Sequence, residues 1–280
     1  LGDSISIDAR GARALLAPSI DLDCGNSGTT TRLMAGVVAG CDFRSRFIGD
    51  ASLSRRPMKR VARPLTAMGA RVELERGDGL PMIIEGGTLQ PIKWTSETSS
   101  AQIKSAILLA GVVGGVEVEV TEPSRSRDHT ERMLRALGAD VRIQGTTVRV
   151  ASAGALAPLD MRVPADPSSA AFLIALAVLS HAAPIVVPNV CLNPTRIGFF
   201  DVLRSMGADI QLDAGVDQGG EPTGSIRGSH SEIRGVTVGG AQIPSMIDEL
   251  PLLACIGACA RGTTVIGGAE ELRVKESDRI

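Results

Sequence analysis

The chain has 280 residues, with 29 Lys and Arg against 31 Asp and Glu and a formal net charge of −2, so it lacks the basic excess of a nucleic-acid binder. Hydrophobic residues at 44% and charged residues at 21% exclude a disordered chain, while 2% aromatics and no tyrosine argue against base-stacking platforms. This length suits one large or two medium domains with a core of Ala, Leu, Ile and Val.

Ser4–Asp8 alternates with period two and predicts a strand. Gly25-Asn26-Ser27-Gly28-Thr29-Thr30-Thr31-Arg32 leads into an apolar helix expected over Thr30–Val38, with a strand over Phe43–Ile48. Glycines at a helix start expose unpaired N–H groups at the positive end of the helix dipole, which suits an anion. A plain N-cap with a tight turn is the alternative, and the absence of a following Gly-Lys-Ser/Thr excludes a P-loop. Ser52–Arg60 sets four cations around Pro57, either as a solvated loop or as an anion clamp, because Arg favours planar partners such as carboxylate and phosphate.

Ser99-Ser100-Ala101-Gln102 opens a second apolar helix over Ser100–Val113, followed by a strand over Val116–Thr121. In Ser124–Glu131, Asp128 with Glu131 predicts a capping box, and Arg125 and Arg127 just ahead of it are freer to meet an anion. His129 reads as a surface or supporting residue rather than a base. Asp166-Pro167-Ser168-Ser169 opens a third apolar helix, Ser168–Leu179, before a strand over Pro184–Val190. Asp213–His230 is polar, contains Gly219, Gly220, Pro222 and Gly224, and reads as a surface loop. Asp248-Glu249-Leu250-Pro251 opens a fourth helix, Glu249–Ala260, where a carboxylate is by default a cap, and a strand follows over Thr263–Ile266. Glu270–Arg279 is either a salt-bridged exposed helix start or a functional cluster in which acid and cation alternate.

An internal repeat organises these elements. The hexapeptide Leu-x-x-(Met/Leu)-Gly-Ala occurs at Leu65–Ala70, Leu134–Ala139 and Leu203–Ala208, at two equal offsets of 69 residues. Each copy ends a helical pattern on Gly69, Gly138 or Gly207 and precedes alternating strand patterns at Val72/Leu74, Val141/Ile143 and Ile210/Leu212. Both ends cut this unit, with Lys275–Ile280 resembling the opening of a helix, so the sequence reads as an internal piece of a longer protein.

Metal sites have little support in the spacing: His129, His181 and His230 are isolated, and Cys255 and Cys259 lie four apart in an apolar helix. No Ser-His-Asp or GxSxG pattern occurs. Five scattered cysteines fit thiols in a reducing compartment, the cytoplasm. No apolar run reaches the ~18 residues of a membrane span, and no signal-peptide pattern is present.

Taken together, Leu22–Arg32, Gly49–Met58, Ser100–Ser105, Ser126–Glu131, Asp166–Ala171, Ser245–Glu249 and Leu272–Arg279 resemble the 5-enolpyruvylshikimate-3-phosphate synthase family, in that family's order. They look most like the bacterial branch noted for low sensitivity to glyphosate. The resemblance implies an α/β fold of two domains, each an inside-out barrel of βαβαββ units with the active site between them, incomplete here at both ends. The first domain is expected over 1–163 and the start of the second over 164–280, with further ligands outside this chain, which alone is expected to be inactive. A related family, UDP-N-acetylglucosamine enolpyruvyltransferase, carries a Cys in the loop before its Arg-Pro, and Gly49–Arg56 holds none.

The implied reaction transfers the enolpyruvyl group of phosphoenolpyruvate to the 5-hydroxyl of shikimate 3-phosphate and releases phosphate. No metal, organic cofactor, nucleic acid or membrane is implied, and the enzyme is expected as a monomer. By resemblance, Ser100, Ala101, Gln102, Arg127, Asp248 and Lys275 contact shikimate 3-phosphate, and Gly28, Arg56, Gln102 and Arg279 contact phosphoenolpyruvate. Asp248 takes the hydroxyl proton, and Glu276 exchanges a proton at the enol methylene. Gly28 departs from family members insensitive to glyphosate, in which Ala stands at the matching position.

Overall fold

The repeated hexapeptide is a helix-ending device. In a computed structural model describing residues 4–8, 10–11, 14–152, 154–275 and 277–280, Gly69, Gly138 and Gly207 take φ of 106°, 89° and 99°, the left-handed region that favours glycine. The Ala after each glycine donates its N–H to the carbonyl of the hexapeptide's Leu, at 3.1, 2.9 and 3.0 Å, and each Gly N–H reaches the residue after that Leu. These are the two bonds of a Schellman motif, and they satisfy carbonyls that a helix end leaves orphaned. Each helix therefore stops at the same place in its unit, and the chain turns back as a strand.

The unit so punctuated is βαβαββ. Its first copy runs β1 (Leu22–Asp23), α1 (Gly28–Ala39), β2 (Arg44–Ile48), α2 (Lys59–Ala67), β3 (Arg71–Leu74) and β4 (Met82–Glu85), with sheet order β1-β2-β4-β3. β1 pairs parallel with β2, and β4 pairs antiparallel with both β2 and β3. The second copy, β5 (Ile92–Thr95), α3 (Ala101–Gly114), β6 (Val118–Thr121), α4 (His129–Ala136), β7 (Val141–Gln144) and β8 (Thr147–Val150), repeats the pattern as β5-β6-β8-β7. In the third, α5 (Pro167–Leu179), β9 (Ile185–Cys191), α6 (Gly198–Ser205), β10 (Asp209–Ala214) and β11 (Thr223–Ser229) give the order β10-β11-β9. A single parallel bridge from Ala165 to Val190 stands where the first strand of that copy would be. A further half-unit follows as β12 (Thr237–Val238), α7 (Leu250–Cys259) and β13 (Val265–Ile266), with its strands parallel.

Packing separates the chain into two compact units, Leu1–Thr95 with Gln102–Thr121 and Asp140–Ala155, and Ser96–Ala101 with Glu122–Ala139 and Leu156–Ile280. The core of the first includes Phe47, Leu53, Met58, Leu65, Met82, Ile84, Ile107 and Leu108. There α1 and α3 approach closely: a Cβ on Gly36 would lie 2.1 Å from the Ala106 carbonyl oxygen. The core of the second gathers Ile174, Val178, Phe199, Phe200, Leu203, Ile226, Met246 and Leu253. Among the described residues no helix is long and apolar enough to cross a membrane.

Three expectations change. Ser4–Asp8 is irregular and exposed and pairs with no strand among the described residues, since alternation makes a strand only where a partner completes its ladder. Asp213–His230 is mostly sheet rather than loop: β10 and β11 pair from Asp209–Ser229 to Ala214–Gly224, with only the tip between them. Its small polar residues hid the strand because β11 lies close under α5, where a Cβ on Gly228 would come within 3.1 Å of Ile174. Glu270–Val274 forms a 3-10 turn, and 277–280 are irregular, so the helix expected from Lys275 does not form among the described residues.

Candidate active site

In the first unit, Ser27 caps α1 by accepting from the Thr30 N–H at 3.1 Å, and Gly28, the first residue of the helix, presents no side chain to its neighbours. Two guanidiniums meet there: a Cβ on Gly28 would stand 3.0 Å from Nη1 of both Arg32 and Arg56. Each is tethered by neighbouring acceptors. Arg56 donates to Asn26 Oδ1 at 2.6 Å, and Arg32 donates to Gln102 Oε1 at 2.6 Å and to the Pro57 carbonyl at 3.1 Å. Gln102 in turn donates to Thr29 Oγ1 at 2.8 Å. Asp50 accepts from Asn26 at 2.6 Å and from the Leu53 N–H at 2.7 Å, and these bonds, the backbone one first, lower its pKa. Two cations with fixed donors converging on a helix N-terminus form a cradle for an anion carrying several oxygens.

In the second unit Asp248 gathers three cations. Its carboxylate accepts from Arg127 at 2.5 Å, Arg279 at 3.2 Å and Lys275 at 3.4 Å. Burial opposes the charge, but Arg127, then Lys275 and Arg279, outweigh it and hold the carboxyl far below the usual aspartate range. The next residue behaves oppositely. Glu249 is 4% exposed, and burial raises its pKa, with Asp248 adding to the effect against Ser168 and Arg196. Arg196 donates to Asp166 at 2.7 Å and to Ser168 Oγ at 2.8 Å. Adjacent carboxyls are thus pushed apart in pKa, the arrangement that assigns different proton roles to neighbours.

A buried carboxylate fixes the Ser-rich loops of the same unit. Glu122 accepts from the Ser100 N–H at 2.8 Å and from Ser126 Oγ at 2.7 Å, while Ser99 Oγ exchanges bonds with Ser124. Beside them Asp128 does not form the expected capping box. It occupies the N-cap position of α4 without a side-chain cap bond, and its carboxylate accepts from Asn193 at 2.7 Å and Arg132 at 2.9 Å. Burial works against its charge, and these two donors more than compensate, so its pKa falls. Asp248 likewise is not a cap; Glu249 takes the N-cap position of α7, also without a side-chain cap bond. In both cases a cation offers the carboxylate more than an amide N–H does.

The EPSP synthase family model, described as 3-phosphoshikimate 1-carboxyvinyltransferase, matches residues 2–280. The chain belongs to the EPSP synthase family. It is 46% identical over 280 residues to a 3-phosphoshikimate 1-carboxyvinyltransferase of Geobacillus kaustophilus, covering all of this chain and 66% of the relative. A protein of the same name from Desulforudis audaxviator is 49% identical over 280 residues, with 65% of its length covered. An EPSP synthase structure from Acinetobacter baumannii superposes with TM-score 0.84 at 45% identity over 96% of this chain and 61% of that one. The enolpyruvyl transferase NikO from Streptomyces tendae shares the fold, with TM-score 0.65 at 21% identity over 84% of this chain and 55% of that one. The chain thus spans just under two thirds of the length of these curated relatives.

Within this EPSP synthase family chain, the structure brings Gly28, Arg56 and Gln102 together in one unit and Arg127, Asp248, Lys275 and Arg279 together in the other. Ser100 is held through its backbone by Glu122, and Ala101 begins α3. Glu276 lies outside the described residues. Sequence reasoning missed Arg32, although it lies one helical turn after Gly28 and so on the same face of α1. It also missed Arg196 and Glu249, whose partners Asp166, Ser168 and each other lie far off in sequence, and Glu122, whose bond to Ser100 spans 22 residues although Ser126 is near.

Proposed function

We propose that the chain carries part of the site that transfers the enolpyruvyl group of phosphoenolpyruvate to the 5-hydroxyl of shikimate 3-phosphate. In this reading the hydroxyl oxygen bonds to C2 of phosphoenolpyruvate as C3 gains a proton. The intermediate then loses phosphate and a C3 proton, which restores the double bond. The observation that carries the reading is the pair of tethered guanidiniums over Gly28, a cradle suited to a compact, multiply charged ligand such as phosphoenolpyruvate. Family membership supplies the reaction type.

Gly28, Arg56, Gln102 and Arg279 are the proposed phosphoenolpyruvate contacts, and Arg32 joins them on its geometry. Ser100, Ala101, Gln102, Arg127, Asp248 and Lys275 are the proposed contacts of shikimate 3-phosphate. Asp248 accepts the hydroxyl proton, and Glu276 handles the proton at C3. Three cations hold Asp248 ionised and weakly basic. Anionic substrates that draw Arg127, Lys275 and Arg279 away restore its basicity, so proton abstraction is tied to substrate binding. We place the domain division after Val163, between the second and third repeat copies, and the protein in the cytoplasm, where its free cysteines fit.

Phosphate release from the two substrates tests the reading, with the chain and a form extended to the full length of its relatives assayed side by side. The extended form should release phosphate and the chain alone should not. An extended form that folds and releases none would refute the reaction, and equal release from both would refute the division of the site.

A further inference from the structure

His129, Cys191 and Glu221 lie 62 and 30 residues apart in sequence, which conceals them from any ligand-spacing motif. The fold of the second unit brings one ligand atom of each within 4.8 Å of the others. His129 is the first residue of α4, and Cys191 is the last of β9. Glu221 sits at the end of a two-residue turn in which Gly219 and Gly220 take φ of 57° and 84°, closed by paired backbone bonds between Gln218 and Glu221. We propose that these three side chains form a binding site for a borderline divalent ion of the Zn2+ class, separate from the Asp248 cluster.

The donor set is one imidazole, one thiol and one carboxylate, the mixture that Zn2+ accepts with three protein ligands and a fourth position left to water. Ligands at ordinary zinc distances stand about 3.3–3.8 Å apart in a tetrahedron. Cys191 Sγ and Glu221 Oε2 already lie 3.7 Å apart. His129 Nδ1 and Glu221 Oε1, now hydrogen-bonded at 2.7 Å, need only open to admit the ion. The outer support is in place: Asn193, fully buried, donates to Glu221 Oε2 at 2.9 Å and to Asp128 at 2.7 Å. Partners of this kind fix the orientation of a metal-binding carboxylate.

A further observation points the same way. His129 Nε2 is buried without a hydrogen-bond partner, although the side chain as a whole is 38% exposed, so the imidazole has a spare nitrogen and the site has a route from solvent. Cys191 would bind the ion as its thiolate, so binding releases a proton to solvent. An ion here would tie the start of α4, two residues beyond Arg127, to β9 and the glycine turn.

Co2+, a spectroscopic stand-in for Zn2+, tests the site on the 280-residue chain under reducing conditions. Titration should produce a thiolate-to-cobalt charge-transfer band that saturates near one ion per chain, and Zn2+ should abolish the band by competition. Cys191→Ser and Glu221→Gln should remove it, while the double variant Cys255→Ser/Cys259→Ser, altering the two exposed cysteines, should keep it. Because Cys191 and Glu221 are buried, His129→Gln serves as the variant least disruptive to folding and should weaken Co2+ binding at least tenfold. No band in the unaltered chain, a band that survives Cys191→Ser, or unchanged affinity in His129→Gln would each overturn the proposal.

Discussion

Replacing Gly28 by alanine adds one methyl group at the most crowded point of the guanidinium cradle. The new Cβ would lie 3.0 Å from Nη1 of Arg32 and equally close to Nη1 of Arg56, so both groups must retreat by a few tenths of an ångström. Neither can leave freely, because Asn26 holds one and Gln102 and Pro57 hold the other. Overpacking of this kind costs about 1–3 kcal/mol, which corresponds to roughly fivefold to 150-fold in the dissociation constant of an anion in the cradle. Gly28 is an α-helical residue outside the positive-φ region, so alanine suits the backbone and any fall in melting temperature reports the crowding at the guanidiniums rather than backbone strain. Calorimetric titration with phosphoenolpyruvate and with glyphosate, on a form extended to full length, reads the effect. Glyphosate, one atom longer between carboxylate and phosphorus, should lose more affinity than phosphoenolpyruvate. Unchanged affinity for both ligands with an unchanged melting temperature would remove Gly28 and its guanidiniums from the binding site.

Asp248→Asn in the extended form should lower turnover by about 10²–10⁴-fold, the range for loss of a general base, and near-normal kcat would exclude that role. The same variant tests the ion-pair cluster by pH. The depressed Asp248 pKa contributes stability that is complete above the ordinary value of 3.8 and lost as acid titrates the folded carboxylate, so urea unfolding of Asp248→Asn should decline less steeply on acidification. Glu249 carries the opposite sign: its raised pKa costs stability as pH rises above the ordinary 4.5, so Glu249→Gln should be neutral or stabilising at pH 7, and a clear loss there would show that the charged form is needed. Gly36→Ala should cost about 1–3 kcal/mol, read as a fall in melting temperature, because its methyl would meet the Ala106 carbonyl on α3; a neutral result would mean that α1 and α3 are not this close.

Signals that act within one turn were legible, and signals that act across the fold were not. The Leu-x-x-x-Gly-Ala hexapeptide announced three helix ends because a Schellman closure is made entirely within such a hexapeptide. β11 was hidden because strand recognition relies on bulky alternating side chains, and Gly228 sits where α5 leaves room for none. The same division runs through the candidate site. Gly28, Arg56 and Gln102 belong to short local motifs, whereas Arg196 and Glu249 take their meaning from partners tens of residues away, and Glu122 joins the nearby Ser126 to Ser100, 22 residues before it.

The acids at helix starts show why local rules reach only this far. Asp166 opens α5 as expected, accepting from the Ser168 and Ser169 N–H groups at 3.2 Å, and it also accepts from Arg196 at 2.7 Å. Asp128 holds the same N-cap position in α4, and Asp248 lies one residue before the N-cap of α7, yet neither makes a side-chain cap bond. Asp128 turns to Arg132 and Asn193, and Asp248 turns to three cations. A cap bond contributes about 1 kcal/mol, and a charge-assisted bond in a half-buried site contributes more, so the carboxylate follows the cation wherever the fold supplies one. At Asp248 the local expectation fails through an excess of positive charge around one carboxylate. In the proposed reading, such an excess of cations is what two multiply anionic substrates would call on.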